Sequence, residues 1–183
     1  VNIHSTGHTA LDYRRSFITD KNEFSNRWFA QDRVMKKALS VANEKEIAEP
    51  FRFEYAATVA LENINDKILV TPFPGLTPSE NPLKIGYRSY PVDMIYPRTN
   101  ILTAVIDIPE GYKIADVPED LSVDHSLASI TYKTEMLPGK AIINGSYSFK
   151  KAVYYPAEYY NLKNLYSQIV QTFNNKIVLV KSN

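Results

Sequence analysis

Residues 88–118, RSYPVDMIYPRTNILTAVIDIPEGYKIADVP, decide the fold of this chain. The stretch holds three strand-like runs that are separated by prolines. Because proline cannot donate a ladder hydrogen bond, Pro91 and Pro97 confine the first run to an edge, a strand start or a bulge. Asn100–Ile108 alternates and predicts a longer strand with Leu102, Ala104, Ile106 and Ile108 on one face.

The turn Pro109-Glu110-Gly111 follows this strand. Proline at the second position and glycine at the fourth suit a type I turn. We therefore expect Tyr112–Val117 to return antiparallel to Asn100–Ile108.

Composition narrows the function classes. The 183 residues are 44% hydrophobic and 22% charged, which is typical of a soluble globular protein, and the net charge is only +1. The basic pairs are dispersed among carboxylates, so the concentrated basic footprint of a nucleic-acid-binding protein is missing. No apolar run approaches the ~18 residues of a membrane span, and no signal peptide is visible. Because the chain starts at Val1 without methionine, we expect a processed or truncated piece of a longer protein.

Cysteine is absent from the chain, whereas tyrosine occurs 13 times. The missing cysteine excludes thiol catalysis, disulfides and thiolate metal sites. Tyrosine suits half-buried strand faces, so its abundance favours a β-rich fold. The alternative is a set of exposed tyrosine platforms for sugars or peptides.

The N-terminal residues predict a strand followed by a helix. Val1–Phe17 alternates with period two, and Gly7 marks a bulge or a close backbone approach. Asp20 is placed to cap a helix, with Glu23 completing a capping box. The apolar stripe of this helix is Phe24, Trp28, Met35 and Leu39. Alternatively, its later part is a strand over Ala38–Ala42.

Two hairpins are expected further along. Phe51–Leu61 and Lys67–Thr71 form the first, with Asn63, Asn65 and Asp66 in its turn. Pro72–Pro82 then forms a crossover loop or the seam between two halves. Ser129–Met136 and Ala141–Val153 form the second hairpin around residues 137–140, with Gly145 as a bulge. Asn144-Gly145-Ser146 also matches a glycosylation sequon, which matters only in a eukaryotic secretory route.

The C-terminal residues predict a helix over 156–174 and a strand over 176–181. Pro156 suits the first helical position, and Glu158 suits the positive end of the helix. The apolar face of the helix consists of Tyr159, Leu162, Tyr166, Ile169 and Phe173. The last strand is apolar on both sides, which predicts a position inside a sheet that is covered on both faces.

Together these elements predict an α+β fold of mostly antiparallel strands, arranged as a two-layer, Greek-key-like β-sandwich with one or two packed helices. Residues 81–183 would form the C-terminal sandwich. Residues 1–80 would form a strand, helix and hairpin region, either separate or part of the same domain.

The histidines and carboxylates predict no catalytic, cofactor or metal site. His4, His8 and Asp12 share one side of the predicted first strand, where the two histidines would be roughly 13 Å apart and too distant for one metal ion. A helix would instead bring them together as HxxxH. Neighbouring residues on a strand point to opposite faces, so Asp124-His125-Ser126 does not form a catalytic relay. Glu44, Glu46 and Glu49 read as a solvated loop.

Tyrosines near the final helix are the best candidates for ligand contact. Tyr154, Tyr155, Tyr159 and Tyr160 are the densest aromatic group in the chain. Packing at the joint between sheet and helix accounts for Tyr159, which belongs to the apolar face of the helix. Tyr154, Tyr155 and Tyr160 remain candidate ligand contacts.

Several short motifs follow one another between residues 81 and 181. They are Asn81-Pro82, Arg88-Ser89-Tyr90-Pro91-Val92-Asp93, Ile108-Pro109-Glu110-Gly111-Tyr112, Val117-Pro118, Glu158-Tyr159-Tyr160-x-Leu162 and Lys176–Lys181. In this order they resemble the C-terminal β-domain of unknown function that follows a transglutaminase-like domain in secreted or periplasmic proteins of Bacteroidetes-type bacteria. Residues 1–80 fit more loosely, through Gly7-x-x-Ala10-x-x-x-Arg14 and the helix around Trp28.

The resemblance implies a non-catalytic accessory domain at the cell surface or in the periplasm. Its partner would be the upstream transglutaminase-like domain of the same polypeptide, which in such proteins carries the catalytic Cys-His-Asp set. No active-site residue can be transferred to this chain, because it has no cysteine. The alternative function is a glycan- or peptide-binding module that uses surface tyrosines. A metal-dependent hydrolase using His4 and His8 is a third hypothesis.

Overall fold

The protein folds into two compact units, Val1–Leu61 and Glu62–Asn183, in a computed structural model that describes residues 2–27, 34–59 and 62–182. The division lies at residue 61, whereas the sequence pattern put it near residue 80. The difference arises because the strands that follow residue 61 pair with strands of the second unit.

The described residues of the first unit form a three-stranded antiparallel sheet and two helices. Its elements are β1 (Asn2–Ser5), α1 (Gly7–Thr19), α2 (Lys21–Arg27), β2 (Val34–Ala42) and β3 (Phe51–Val59). The strand order is β1-β3-β2. The buried core consists of Ala10, Phe17, Phe24, Phe51 and Phe53.

The predicted long strand over Val1–Phe17 is wrong beyond Ser5. The chain turns at Gly7, whose φ of +58° favours glycine, and α1 begins there. Ala10, Arg14 and Phe17 are the buried residues of α1. Their spacings of four and three residues define one face of a helix. This helical periodicity determines the structure of the segment, and the period-two alternation that predicted a strand does not.

The predicted cap at Asp20 is confirmed. Asp20 Oδ1 accepts hydrogen bonds from the backbone N–H groups of Asn22 (2.8 Å) and Glu23 (2.9 Å). Among the described residues α2 ends at Arg27, so Met35 and Leu39 lie on strand β2 and not on a helical stripe. The alternative strand over Ala38–Ala42 is therefore correct, and Trp28 lies outside the described residues.

The second unit contains mostly antiparallel strands and one long helix, so the predicted α+β class is confirmed. Its elements are β4 (Glu62–Ile64), β5 (Lys67–Val70), β6 (Val92–Asp93), β7 (Arg98–Asp107), β8 (Tyr112–Asp116), β9 (Leu121–Asp124), β10 (Ala128–Leu137), β11 (Lys140–Phe149), β12 (Val153–Tyr154), a 3-10 turn (Pro156–Glu158), α3 (Tyr159–Asn174) and β13 (Ile177–Lys181). They form sheets of order β7-β11-β10-β9 and β4-β5-β13-β8, together with the pair β12-β6.

The first of these sheets has the Greek-key order, because β7 lies beside β11 and not beside the next strand along the chain. The predicted pairing of β7 with the following strand is therefore wrong. Tyr112 N donates to Pro109 O (3.1 Å), and Gly111 has a φ of +80°. The turn thus closes one residue later than predicted, and β8 crosses to pair with β13 in the other sheet.

The predicted hairpin of Phe51–Leu61 with Lys67–Thr71 is also wrong. Strand β3 pairs with β1 and β2, whereas β5 pairs with β4 and β13. Asn65 and Asp66 do form a turn, with φ values of 49° and 62°, but it joins β4 to β5. The predicted turn is therefore confirmed at Asn65 and Asp66, whereas Asn63 lies on β4, and the turn joins a different pair of strands from the predicted one.

The hairpin of β10 and β11 is confirmed, but β11 ends at Phe149 and Val153 lies on β12, which pairs with β6. Leu137 pairs with Lys140 across a turn in which Gly139 has a φ of +73°. The bulge predicted at Gly145 is wrong, because the register runs without interruption past Tyr132 on β10 and Leu102 on β7.

The core of the second unit joins α3 to both four-stranded sheets. The predicted apolar face of α3 is confirmed, since all five of its residues are buried: Tyr159, Leu162, Tyr166, Ile169 and Phe173. Strand β13 lies between β5 and β8, inside a sheet as predicted. Only one of its faces is fully buried, because Ile177 and Leu179 are buried and Val178 is half-buried. No described helix is long and apolar enough to cross a membrane.

Candidate interaction surface

The three candidate tyrosines have different positions. Tyr154 is completely buried, so it cannot contact a ligand at the surface and the prediction for it is wrong. Its hydroxyl donates to Leu127 O (2.8 Å) and accepts from Lys151 N (3.0 Å). Tyr155 and Tyr160, in contrast, are 63% and 68% exposed.

Tyr155 is held at the start of the final helix by Glu158. The carboxylate of Glu158 accepts from Tyr155 N (3.0 Å) and also pairs with Lys151. The hydrogen bond from Lys151 and that from the Tyr155 backbone lower the pKa of Glu158. The backbone that presents Tyr155 is therefore fixed by a charged capping group.

A segment without regular structure before β6, residues 81–91, lies along α3. Asn81 Nδ2 donates to Lys163 O and to Ser167 Oγ, both at 2.8 Å. Tyr159 Oη donates to Ile85 O (2.8 Å), and Lys163 Nζ donates to the same carbonyl (2.8 Å). Side chains of the helix thus satisfy backbone carbonyls that have no strand partner.

The C-terminal end of this segment is fastened as well. Strand β6 pairs with β12, and Met94 N donates to Ala152 O (2.7 Å). The guanidinium of Arg88 lies 6.0 Å from the ring centroid of Tyr159, which is within cation–π range.

Large apolar side chains remain exposed on this anchored segment. Tyr87 and Tyr90 are 76% and 79% exposed. The hydrogen bond from Tyr159 holds Ile85 at the start of α3, and Tyr160 is the next residue of that helix. Val92 pairs with Tyr154, which precedes Tyr155. The segment that carries Tyr87 and Tyr90 is therefore held at its two ends beside the neighbours of Tyr160 and Tyr155. We call Tyr87, Tyr90, Tyr155 and Tyr160 the tyrosine surface. Sequence reasoning missed Tyr87 and Tyr90, because their irregular segment has no periodicity. The feature that could have indicated them is a pair of tyrosines in a loop bounded by Pro82 and Pro91.

The candidate catalytic groups are not assembled. Asp124 forms an ion pair with Lys150, and the hydrogen bond and positive charge of the Lys150 ammonium group lower the pKa of Asp124. His125 Nδ1 accepts from Leu127 N (3.1 Å) within its own turn. Asp124 and His125 are therefore each engaged in a local contact and not in a relay with Ser126.

The candidate metal ligands are separated by the fold of the first unit. His4 lies on β1, whereas His8 and Asp12 lie on α1. Within residues 2–27, 34–59 and 62–182, no group of three or more histidine, aspartate or glutamate residues could hold a metal ion.

The acidic loop 43–50 has a structural partner instead. The buried guanidinium of Arg14 donates to the backbone carbonyls of Asn43 (3.1 Å), Glu46 (2.8 Å) and Glu49. The carboxylate of Glu44 lies 3.5 Å from Lys21 Nζ. The loop is therefore organised by Arg14 through its backbone.

These features define an α+β module with a Greek-key sheet and an exposed tyrosine surface. Residues 66–179 match the domain of unknown function DUF3858, and the chain belongs to this family. The predicted relationship to a domain of unknown function is thereby confirmed.

One solved structure is similar over part of the chain. It is a chain from Parabacteroides distasonis described as a "putative protease", with 15% sequence identity and a TM-score of 0.47. The match covers 52% of this chain and 19% of that one, so the matched region is about a fifth of the other protein. No curated protein matches the sequence.

Proposed function

We propose that the chain is a non-catalytic accessory module of a periplasmic or surface-exposed envelope protein, and that it docks on an upstream transglutaminase-like domain of the same polypeptide. The observation that carries this proposal is the tyrosine surface. Its four aromatic side chains are each more than three-fifths exposed on a backbone fixed by α3 and β12.

Exposed tyrosines on a fixed backbone favour a role in binding, because these side chains contribute little to the folded core. Tyrosine supplies a large contact area and has few rotatable bonds, so little entropy is lost when it is immobilised. The backbone under Tyr87 and Tyr90 is already anchored by Asn81, Tyr159 and Lys163, which reduces the ordering cost further.

The groups that could carry chemistry also favour a binding role. Within the part of the chain that the structure describes, Asp124 and His125 are engaged in local contacts, and the acidic loop is organised by Arg14. The motifs between residues 81 and 181 add the family context, in which the upstream domain carries the catalysis.

The test uses the full-length gene. The upstream domain and this chain are expressed separately, and their affinity is measured by calorimetry. Substituting Tyr87→Ser together with Tyr90→Ser should weaken binding at least about tenfold, as expected for loss of aromatic hot spots. Ile64→Ser is the matched control, because Ile64 is 53% exposed on β4. Equal affinities for all variants, or a gene without a transglutaminase-like segment, would contradict the proposal.

A glycan- or peptide-binding module is the second candidate. It is favoured by the exposure of Tyr155 and Tyr160 at one helix end. Binding of envelope polysaccharides or peptides should fall when both tyrosines are replaced by alanine, and should be unchanged in Tyr154→Phe, whose ring is buried. Absence of binding to any of these ligands would eliminate this candidate.

A further inference from the structure

Strand β7 forms one edge of the Greek-key sheet and has ten residues. The edge strands at the other ends of the two four-stranded sheets are much shorter. They are β9 with four residues, β8 with five and β4 with three. A short edge strand offers few backbone groups for pairing, so β7 is the described edge of the second unit with the greatest capacity to pair.

The hydrogen-bond phase shows which residues of β7 are available. Ile108 N donates to Gly139 O on the side of β11. In an antiparallel ladder this direction alternates, so even-numbered residues of β7 bond to β11 and odd-numbered residues direct their N–H and C=O groups away from the sheet. The available groups belong to residues 99, 101, 103, 105 and 107.

The features that usually protect an edge strand are missing from the interior of β7. Residues 99–106 contain no proline, lysine or other charged residue, and their register with β11 has no bulge. The charges are confined to Arg98 and Asp107 at the two ends. Ile101 and Val105 are 77% and 58% exposed on the outer face.

We propose that β7 binds β7 of a second copy of this chain, antiparallel about a twofold axis at Thr103. With this register Ile101 lies opposite Val105 of the other copy, and Thr99 lies opposite Asp107. Each of these pairs exchanges backbone hydrogen bonds through the available odd-numbered groups. The outer faces of the two sheets then join into one continuous face.

The sequence of β7 is complementary to itself, which is why we assign a second copy of the chain as its partner. The twofold register matches every exposed apolar residue of the strand with an apolar residue, whereas a shift of two residues puts Ile101 opposite Thr103. No like charges meet, because the interior of the strand is uncharged and its ends carry opposite signs. Pro97 and Pro109 limit the paired length to β7 itself.

Disulfide cross-linking tests the register directly, since the chain has no cysteine. Thr103→Cys puts two thiols across the axis, where a Cα separation of about 5.5 Å allows a disulfide. Under mild oxidation this variant should form a covalent dimer. The matched control is Ser122→Cys, an exposed position on β9 at the opposite edge, and it should remain monomeric. If Thr103→Cys does not cross-link, or cross-links no faster than Ser122→Cys, the proposal is overturned.

Sedimentation equilibrium of the unmodified chain provides the second measurement. A concentration-dependent dimer is expected, and Thr103→Lys should raise its dissociation constant at least tenfold because two ammonium groups would meet on the axis. Circular dichroism tests whether this exposed substitution leaves the fold intact; if Thr103→Lys unfolds the chain, Ile101→Lys is used in its place. A chain that stays monomeric, or a dimer that neither lysine weakens, would refute the pairing.

Discussion

Phe173 on α3 occupies the space directly above Gly145 on β11: a Cβ atom at residue 145 would lie 2.5 Å from Phe173 Cε1. The ring of Phe173 is fully buried and packs at 5.1 Å from the ring of Tyr147 and at 5.6 Å from that of Tyr132. It has little room to move. The glycine is therefore a packing requirement and not the bulge that its position suggested.

Gly145→Ala should lower the free energy of unfolding by about 1–3 kcal/mol, because overpacking a filled core forces strain on its neighbours. Amide hydrogen exchange of residues 140–149 gives the local readout, and chemical denaturation gives the free energy. Gly86→Ala is the control, since a Cβ at Gly86 would meet nothing within 4 Å. Adding Phe173→Leu to Gly145→Ala should relieve part of the loss; strictly additive effects would disprove the steric cause.

Much of the second unit could be predicted from local patterns. The apolar stripe from Tyr159 to Phe173 and the turn at Gly139 depend on neighbours in sequence, and both predictions are confirmed. Strand pairing depends on distant partners. Nothing in the sequence near Tyr112 indicates that β8 crosses to β13, and nothing near Lys67 indicates that β5 pairs there too. For the same reason Gly145 could not be matched with Phe173.

Tyr154→Phe should cost about 1–2 kcal/mol of stability. The substitution removes the hydroxyl that donates to Leu127 O and accepts from Lys151 N. Leu127 O keeps its hydrogen bond from Lys150 N, whereas the Lys151 N–H loses its acceptor, and an unsatisfied polar group that is shielded from water carries a desolvation penalty. Tyr155→Phe is a matched control from the next residue, because that side chain is exposed. Thermal denaturation of both variants makes the comparison. Equal midpoints would show that the Tyr154 hydroxyl contributes nothing to stability.

Tyr132→Phe should have the opposite outcome. The hydroxyl of Tyr132 is buried without a hydrogen-bond partner among the described residues, so its removal should leave the stability unchanged or raise it by up to about 1 kcal/mol. A loss of stability comparable to that of Tyr154→Phe would contradict this expectation.

Burial and the nearby Asp120 carboxylate raise the pKa of Tyr132 to about 12. An unfolded tyrosine ionises near its ordinary pKa of 10.0, so the unfolded state loses its proton first. The free energy of unfolding should therefore fall as the pH rises from 10 to 12. Absorbance titration at alkaline pH should show a late-ionising tyrosine that is missing in Tyr132→Phe.

Arg14→Lys should destabilise the first unit by about 2–4 kcal/mol, because a lysine cannot reproduce the planar fork that reaches three backbone carbonyls. Arg15→Lys is the control from the exposed side of the same helix. Faster hydrogen exchange in residues 43–50 of Arg14→Lys, and not of Arg15→Lys, is the expected signature. Unchanged exchange would mean that the loop holds its conformation without the guanidinium.

The candidate site was only half visible in the sequence. The density of aromatic residues predicts Tyr155 and Tyr160 as contacts, and it predicts the buried Tyr154 equally, because adjacent aromatic residues do not reveal which side chain points inward. Tyr87 was missed because exposure in an irregular segment is set by distant anchors such as Tyr159 and Lys163. Periodicity cannot report such anchors.

Glu158 should make stability depend on acidic pH. Its pKa is lowered below 4.5 by Lys151 and by the Tyr155 backbone, so the folded state holds the carboxylate charged at pH values where the unfolded chain binds a proton. The resulting stabilisation is present above pH 4.5 and is lost as the pH falls through the lowered folded value. Glu158→Gln should therefore be less stable than the unmodified chain near neutral pH, and the difference should shrink on acidification. Denaturation midpoints measured from pH 7 to pH 3 provide the check, with Glu110→Gln as a control from an exposed turn. If the denaturation midpoints of Glu158→Gln and the unmodified chain differed by a constant amount from pH 7 to pH 3, the carboxylate charge of Glu158 would not stabilise the start of α3.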